Sequence, residues 1–133
     1  MRGIVLADTG PLYAARDSSD TYHSRAHDEL ARLRAQNLKV VVPYPILLES
    51  YSLVMRKLGN REAHALLVEV TSTAILTNAM EDDYQDATVT ILPYRNQDLT
   101  LFDTVLAAMS DRLEAPVWTF DHHFDVMRVS VWR

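Results

Sequence analysis

The chain has 133 residues, 48% of them hydrophobic and 23% charged, an ordinary balance for a globular protein with one core. It contains no cysteine, which excludes a disulfide framework, a thiol nucleophile and a thiolate metal site; no apolar run approaches the ~20 residues of a membrane span. The formal net charge of -5 weighs at face value against a nucleic-acid partner, because phosphates are held mostly by Lys and Arg.

The opening residues, MRGIVLADTG, meet an acid too soon to read as a signal peptide, so a cytoplasmic location is expected. Residues 3–7 (GIVLA) are a short aliphatic run, the pattern of a buried strand. Asp8 follows, and Gly10-Pro11 leads into a helix. Residues 20–36 are amphipathic, with Tyr22, Ala26, Leu30 and Leu33 on one helical face. A second strand over 38–42 (LKVVV) is stopped by Pro43 and Pro45. Residues 46–58 read as a helix ending at Gly59. Asn60 can cap the next helix, whose inner face is Ala63, Leu66, Leu67 and Val70. A third strand is expected over 74–77 (AILT), then a helical stripe of Met80, Tyr84, Ala87, Thr88 and Ile91. Residues 99–113 read as a helix with Phe102, Leu106, Met109 and Leu113 inward. A strand over 116–120 (PVWTF) and a last one over 129–132 complete the chain.

Short strands alternating with longer helices predict an α/β domain over residues 1–133, with a parallel sheet covered by helices on both faces. Sites in such folds open at the carboxyl ends of the strands. Asp8-Thr9-Gly10 after hydrophobics also looks like the catalytic motif of an aspartic protease. That enzyme is mostly sheet and needs two such motifs, or one per subunit of a dimer; only one occurs here.

Four carboxylates stand out. Asp8 and Asp121 end two predicted strands, and parallel strands would bring both to one edge of the sheet. A helix N-cap at Asp8 and a strand-to-helix turn at Asp121 are the purely structural alternatives. Glu49, in PILLESYSLV, shares a helical face with Ile46 and Leu53; Asp103, in LTLFDTVLAAM, lies between Leu99 and Leu106. A lone buried carboxylate costs several kcal/mol unless it is paired, protonated or bound to a cation. The nearest bases, Arg56 and Lys57 for Glu49 and Arg112 for Asp103, do not sit at pairing distance along the helices. Hard oxygen donors without cysteine suit Mg²⁺ or Mn²⁺.

In this order the segments ADTGPLYA, PILLESYSLV, LTLFDTVLAAMSDRL and VWTFDHHFDV resemble the PIN-domain ribonucleases, most closely the VapC-type toxins of toxin–antitoxin pairs. The likeness covers essentially the whole chain. It implies a three-layer α/β/α sandwich on a mainly parallel sheet of about four to five short strands. It also implies that Asp8, Glu49, Asp103 and Asp121 hold Mg²⁺ or Mn²⁺ and carry catalysis. Thr9 and Thr119 match small polar residues that orient the site, and Asp125 matches a peripheral acid. DTYHSRAHDEL looks like the family's D-x-x-H-x-x-A helix opening, at Asp20, His23 and Ala26; Phe102 departs from the smaller residue commoner before the third acid. The implied activity is metal-assisted hydrolysis of RNA, leaving 3′-hydroxyl and 5′-phosphate ends. The implied partners are RNA, a small antitoxin and a second copy of the chain in a homodimer, with no membrane.

Without the four site acids the remainder of the chain is close to neutral, so the local potential need not follow the global -5. Arg16, Arg56, Lys57, Arg61 and Arg95 are candidate phosphate contacts. Rival readings come from the histidines. His23 and His27 have a zinc-chelating spacing, but Ser24 stands where a metalloprotease needs Glu, which favours two half-exposed side chains. His122 and His123 suggest metal-free acid–base chemistry, but adjacent residues in a strand or turn are expected to point apart. A stand-alone RNA-processing nuclease and a non-catalytic PIN-fold binding module are the remaining alternatives.

Overall fold

Strand β1, Ile4–Ala7, is buried at every position, which its unbroken aliphatic sequence requires. The computed structural model describes residues 3–133; Met1 and Arg2, the first two positions of the expected domain, lie outside the described residues. With β2 (Lys39–Pro43), β3 (Ile75–Thr77) and β4 (Val117–Trp118), β1 forms a parallel sheet in the order β3-β2-β1-β4. Ile4 lies opposite Lys39 on one side, and Leu6 opposite Val117 on the other.

Alternation along β1 sorts the core into two layers. Ile4 and Leu6 pack with Val41, Leu106, Met109, Val117 and Phe124; Val5 and Ala7 pack with Leu33, Val42, Val54, Leu66 and Trp118. The second layer is roofed by α1 (Thr9–Arg16), α2 (His23–Ala35), α3 (Tyr44–Leu58) and α4 (Asn60–Thr73). The first is closed mainly by α5 (Glu81–Thr90), α6 (Leu101–Leu113) and the short α7 (His123–Val126). This is the expected three-layer α/β/α sandwich. The chain steps from β1 to β2 to β3 in one direction, then crosses back through α5 and α6 to lay β4 on the far side of β1. The strand order therefore reverses between β1 and β4, and a crevice opens there at the carboxyl ends.

Several expectations shift. Pro43 and Pro45 do not delay α3: Pro43 is its N-cap and Pro45 falls in its first turn, where a missing N–H costs nothing. Gly59, at φ 94°, both ends α3 and caps α4, so Asn60 is the first helical residue rather than the cap. Of the stripe expected on α5 only Ala87 is buried, while Met80 and Tyr84 are exposed. The buried face runs one position away, through Asp83, because Arg112 on α6 reaches down to meet that acid. Phe102 faces outward, at 38% exposure, since Asp103 takes the inward position next to it. Tyr22, also outward, precedes α2 rather than joining its inner face. The strand expected over 116–120 is shortened to Val117–Trp118, and the one over 129–132 is a single bridge from Val131 to Val117.

Asp83 is a fifth inward acid that its helical pattern concealed. Arg112 Nε lies 3.0 and 3.1 Å from its two oxygens, Nη2 lies 2.7 Å from Oδ2, and the Met80 N–H donates to Oδ2 at 2.7 Å. Burial pushes the Asp83 carboxyl up, but Arg112 and the Met80 N–H outweigh it and hold the pKa below the usual value. The acid side chain is 3% exposed and the base 33%, so the pair lies between the buried and surface regimes. Asp83→Ala is expected to cost about 2 kcal/mol in urea unfolding. Arg112→Ala should cost a similar amount, and the double variant little more than either. Additive losses would show that the two side chains act independently.

Candidate metal centre

Asp8 stands where β1 ends and α1 begins. As N-cap it turns Oδ1 toward the helix, accepting the Thr9 N–H at 2.8 Å. Its Oδ2 accepts the Thr119 hydroxyl at 2.7 Å, and that hydroxyl oxygen accepts the Asp121 N–H at 2.9 Å. Thr119 thus links the segments leaving β1 and β4 across the switch point. The Thr9 hydroxyl donates to Glu49 Oε1 on α3 and accepts from the buried Ser50 hydroxyl at 3.2 Å. On α6, Asp103 closes a capping box: the Thr100 N–H donates to Asp103 Oδ2 at 3.0 Å, and the Asp103 N–H donates to Thr100 Oγ1 at 3.2 Å. Asp121 Oδ1 accepts the His123 N–H at 2.9 Å, and His123 Nδ1 lies 2.7 Å from the same oxygen without hydrogen-bond alignment.

Asp8, Glu49, Asp103 and Asp121 line one open cleft of about 480 Å³, together with Asp20 and Asp98 and with no Lys or Arg in its wall. Asp8 is 5% and Asp103 7% exposed, and Glu49 and Asp121 are half-buried. Burial pushes Asp8 up to about 7; the charges of Asp103 and Glu49 add to the rise, against the hydrogen bonds from Thr119 and Thr9. Glu49 is raised by burial and then by Asp103, against its bond from Thr9. Asp103 is raised by burial and by Asp121, against its bonds from Thr100 and the nearby His123. The four acids lie in one another's fields with no Lys or Arg among the lining residues; His122 lines the cleft, and His123 offsets part of the rise at Asp103. Glu49 Oε2, Asp103 Oδ1 and Asp121 Oδ2 have no hydrogen-bond partner among the described residues. An all-oxygen donor set of this kind, with no Lys or Arg beside it, fits a hard divalent cation.

The remaining site candidates divide. Thr9 and Thr119 touch the carboxylates directly, whereas Asp125 lies outside the cleft and pairs with Arg133 at 2.7 Å. Arg16 is not free for a phosphate, because its guanidinium is held by Glu62 at 2.8 Å and Glu69 at 2.6 Å. Lys57 Nζ sits 5.3 Å from the ring of Tyr13, which lines the cleft; Arg56, Arg61 and Arg95 are exposed and outside it. His23 Nδ1 and His27 Nε2 meet the Ala14 and Ala15 carbonyls at 2.7 and 3.0 Å, docking α2 against the end of α1. His122 and His123 do not point apart: a helical turn brings their rings to 4.3 Å, and with Asp121 they offer three ligand atoms within 4.8 Å of one another. Arg25 was missed by sequence reading, yet its guanidinium packs on Phe120 beside the cleft; its surface pattern on α2 carries no mark of that contact. A larger groove of about 760 Å³ beside α5 and α6 contains none of the four acids.

No protein-family model and no curated protein matches the chain by sequence. Solved structures do match by fold. VapC20 of Mycobacterium tuberculosis, described as a Sarcin-Ricin loop cleaving toxin, superposes with a TM-score of 0.82 at 20% identity, over 97% of this chain and 98% of that one. VapBC2 from Rickettsia felis, solved on a DNA fragment from its promoter, gives 0.75 at 14% identity, over 98% and 97%. FitAcB from Neisseria gonorrhoeae gives 0.67 at 15% identity, over 97% and 96%. The chain has the PIN-like fold of VapC-type toxins.

The raised Asp8 pKa has a signed consequence. The folded chain keeps that proton up to about pH 7, while the unfolded chain releases it near 3.8, so ionising Asp8 costs stability progressively as pH rises between those values. In metal-free protein Asp8→Asn removes this cost. Its melting temperature should exceed that of the wild type at about pH 8, with the gap closing toward about pH 4. Mn²⁺ at the higher pH should raise the melting temperature of the wild type and leave the variant nearly unmoved. Equal melting curves across pH and Mn²⁺ would remove Asp8 from the site.

Proposed function

We propose that the chain, as one domain over 1–133, is a divalent-metal-dependent endoribonuclease that acts as the toxin of a VapBC-type toxin–antitoxin pair. The observation that carries this reading is the gathering of Asp8, Glu49, Asp103 and Asp121 in one cleft with no Lys or Arg in its wall, at the switch point of the sheet. Support comes from the fold it shares with a toxin described as cleaving the Sarcin-Ricin loop, and with toxin–antitoxin complexes, one of them from Klebsiella pneumoniae.

Asp8, Glu49, Asp103 and Asp121 would hold Mg²⁺ or Mn²⁺. Such an ion, when bound, supplies a Lewis acid that lowers the pKa of water and stabilises the departing 3′-oxygen of a phosphodiester. The protein's own part is placement. Thr119 and the Thr9 N–H fix both oxygens of Asp8, Thr100 fixes one oxygen of Asp103, and His123 N–H fixes one oxygen of Asp121. The outer oxygens are left facing the cleft, and hydroxyls behind carboxylate ligands set their orientation. The chemistry needs no 2′-hydroxyl, so preference for RNA over DNA rests on binding. An uncompensated acid cluster also invites a guanidinium, and an antitoxin arginine entering the cleft would neutralise it and exclude a cation. A homodimer in the cytoplasm completes the proposal.

With Mn²⁺ the purified protein is expected to cleave single-stranded RNA, leaving 5′-phosphate ends, and EDTA should abolish cleavage. Asp103→Asn should lose at least ~100-fold in rate while keeping its circular dichroism spectrum. His122→Ala should retain cleavage, which separates this chemistry from a metal-free histidine mechanism. Full activity of Asp103→Asn, or activity indifferent to EDTA, would sink the assignment. Co-expression with the product of a short neighbouring reading frame should yield an inactive complex; cleavage undiminished by that protein would favour a stand-alone nuclease.

A further inference from the structure

The carboxylate cleft does not end at Asp121. Phe120, Asp121 and His122 are shared with a second groove of about 390 Å³, and there arginines enter the wall: Arg25, Arg32 and Arg133 line it together with Glu29, Asp125 and Trp132, and Arg133 is paired with Asp125. Arg25 occupies the junction. Its guanidinium carbon is 4.5 Å from the Phe120 ring centroid and 5.7 Å from that of Tyr22, and those two rings are 5.1 Å apart. Arg25 Nε donates to Glu29 Oε2 at 2.8 Å, while Glu29 Oε1 accepts the indole N–H of Trp118 at 2.8 Å. The guanidinium is thus tied through Glu29 to a core residue of β4, and its terminal nitrogens have no partner among the described residues. Two turns along α2, Arg32 lies 4.6 Å over the Trp132 ring, whose indole N–H donates to Gln36 at 3.1 Å.

We propose that Tyr22, Phe120 and Arg25 form a subsite for the nucleotide next to the scissile phosphate, with the strand continuing past Arg32. The proposal rests on the nuclease reading. Exposed ring surface beside a fixed guanidinium matches how single-stranded RNA is held: bases stack on aromatic and guanidinium surfaces, and N–H donors take the adjoining phosphate. Continuity with the cleft supplies the direction of the strand. A phosphodiester placed at the carboxylates has its neighbouring nucleotide at Phe120, where the Arg25 guanidinium lies against the ring.

The test uses short fluorescein-labelled single-stranded RNA of mixed sequence. Cleavage kinetics are read on otherwise wild-type protein, and anisotropy on the Asp8→Asn background. Arg25→Ala and Tyr22→Ala should each raise KM about tenfold with kcat within about twofold. Arg25→Ala should also flatten the dependence of log affinity on log salt by about one phosphate's share. Arg25→Lys should restore the salt slope but only part of the affinity, whereas Phe120→Trp should keep KM near the wild-type value. Cleavage by the wild type with KM and salt slope unchanged in Arg25→Ala overturns the subsite and leaves the nuclease reading intact. A wild type that neither cleaves nor binds RNA overturns both. Variants that bind RNA normally but lose affinity for the antitoxin would make the groove a protein-docking surface and overturn the proposal.

Discussion

Three carboxylates pushed above their usual pKa, in a cleft with no Lys or Arg in its wall, form an arrangement that the rest of the fold must hold together against repulsion. Water and a base are the ordinary remedies, and both are kept from Asp8. What remains are fixed dipoles: the first N–H of α1, the hydroxyls of Thr9 and Thr119, and the first-turn capping box of α6. Each lowers the cost of one negative charge without cancelling it, so the cleft keeps a deficit of positive charge that a cation or a partner's guanidinium can fill. The same side chains that cap helices therefore hold the site. The capping role of Asp8 is compatible with the proposed ligand role, because a carboxylate oxygen has more than one lone pair.

Topology explains why these residues meet. Asp8 and Asp121 are far apart in sequence and come together only because β4 returns to the free side of β1. Glu49 and Asp103 come from α3 and α6, helices that follow β2 and precede β4. A parallel sheet whose order reverses leaves a gap in its helical cover at that point, and the four acids fill its wall. The groove beyond Phe120 begins at the same reversal, so a cleft without Lys or Arg adjoins one whose wall mixes three arginines with acids.

The layered α/β plan was legible because strands buried on both faces leave an unbroken aliphatic signature, as GIVLA and LKVVV do. The four acids were legible because each interrupts or ends an apolar pattern. The stripe on α5 misled for the converse reason. Asp83 looks like a surface residue by type, and only the reach of Arg112 from α6 makes it an inward one. Arg16 misled in the same way: nothing local announces Glu62 and Glu69 on α4. His122 and His123 were expected to diverge as in an extended chain, but the strand ends at Trp118 and the chain enters a helical turn that brings the rings together. In each case the deciding contact is long-range, or the boundary falls within two or three residues of the side chain in question.

The tie from Trp118 through Glu29 to Arg25 has a consequence for entropy. A surface arginine normally samples many rotamers, and ordering it on contact with a ligand opposes binding. Here the fully buried end of β4 specifies where an exposed guanidinium points, and Phe120 restricts it from the other side. The loss of rotamer freedom takes place when the sheet forms, before any ligand arrives. A solvent-facing side chain thereby acquires the positional definition of the interior, and whatever settles beside Phe120 meets a surface already at rest.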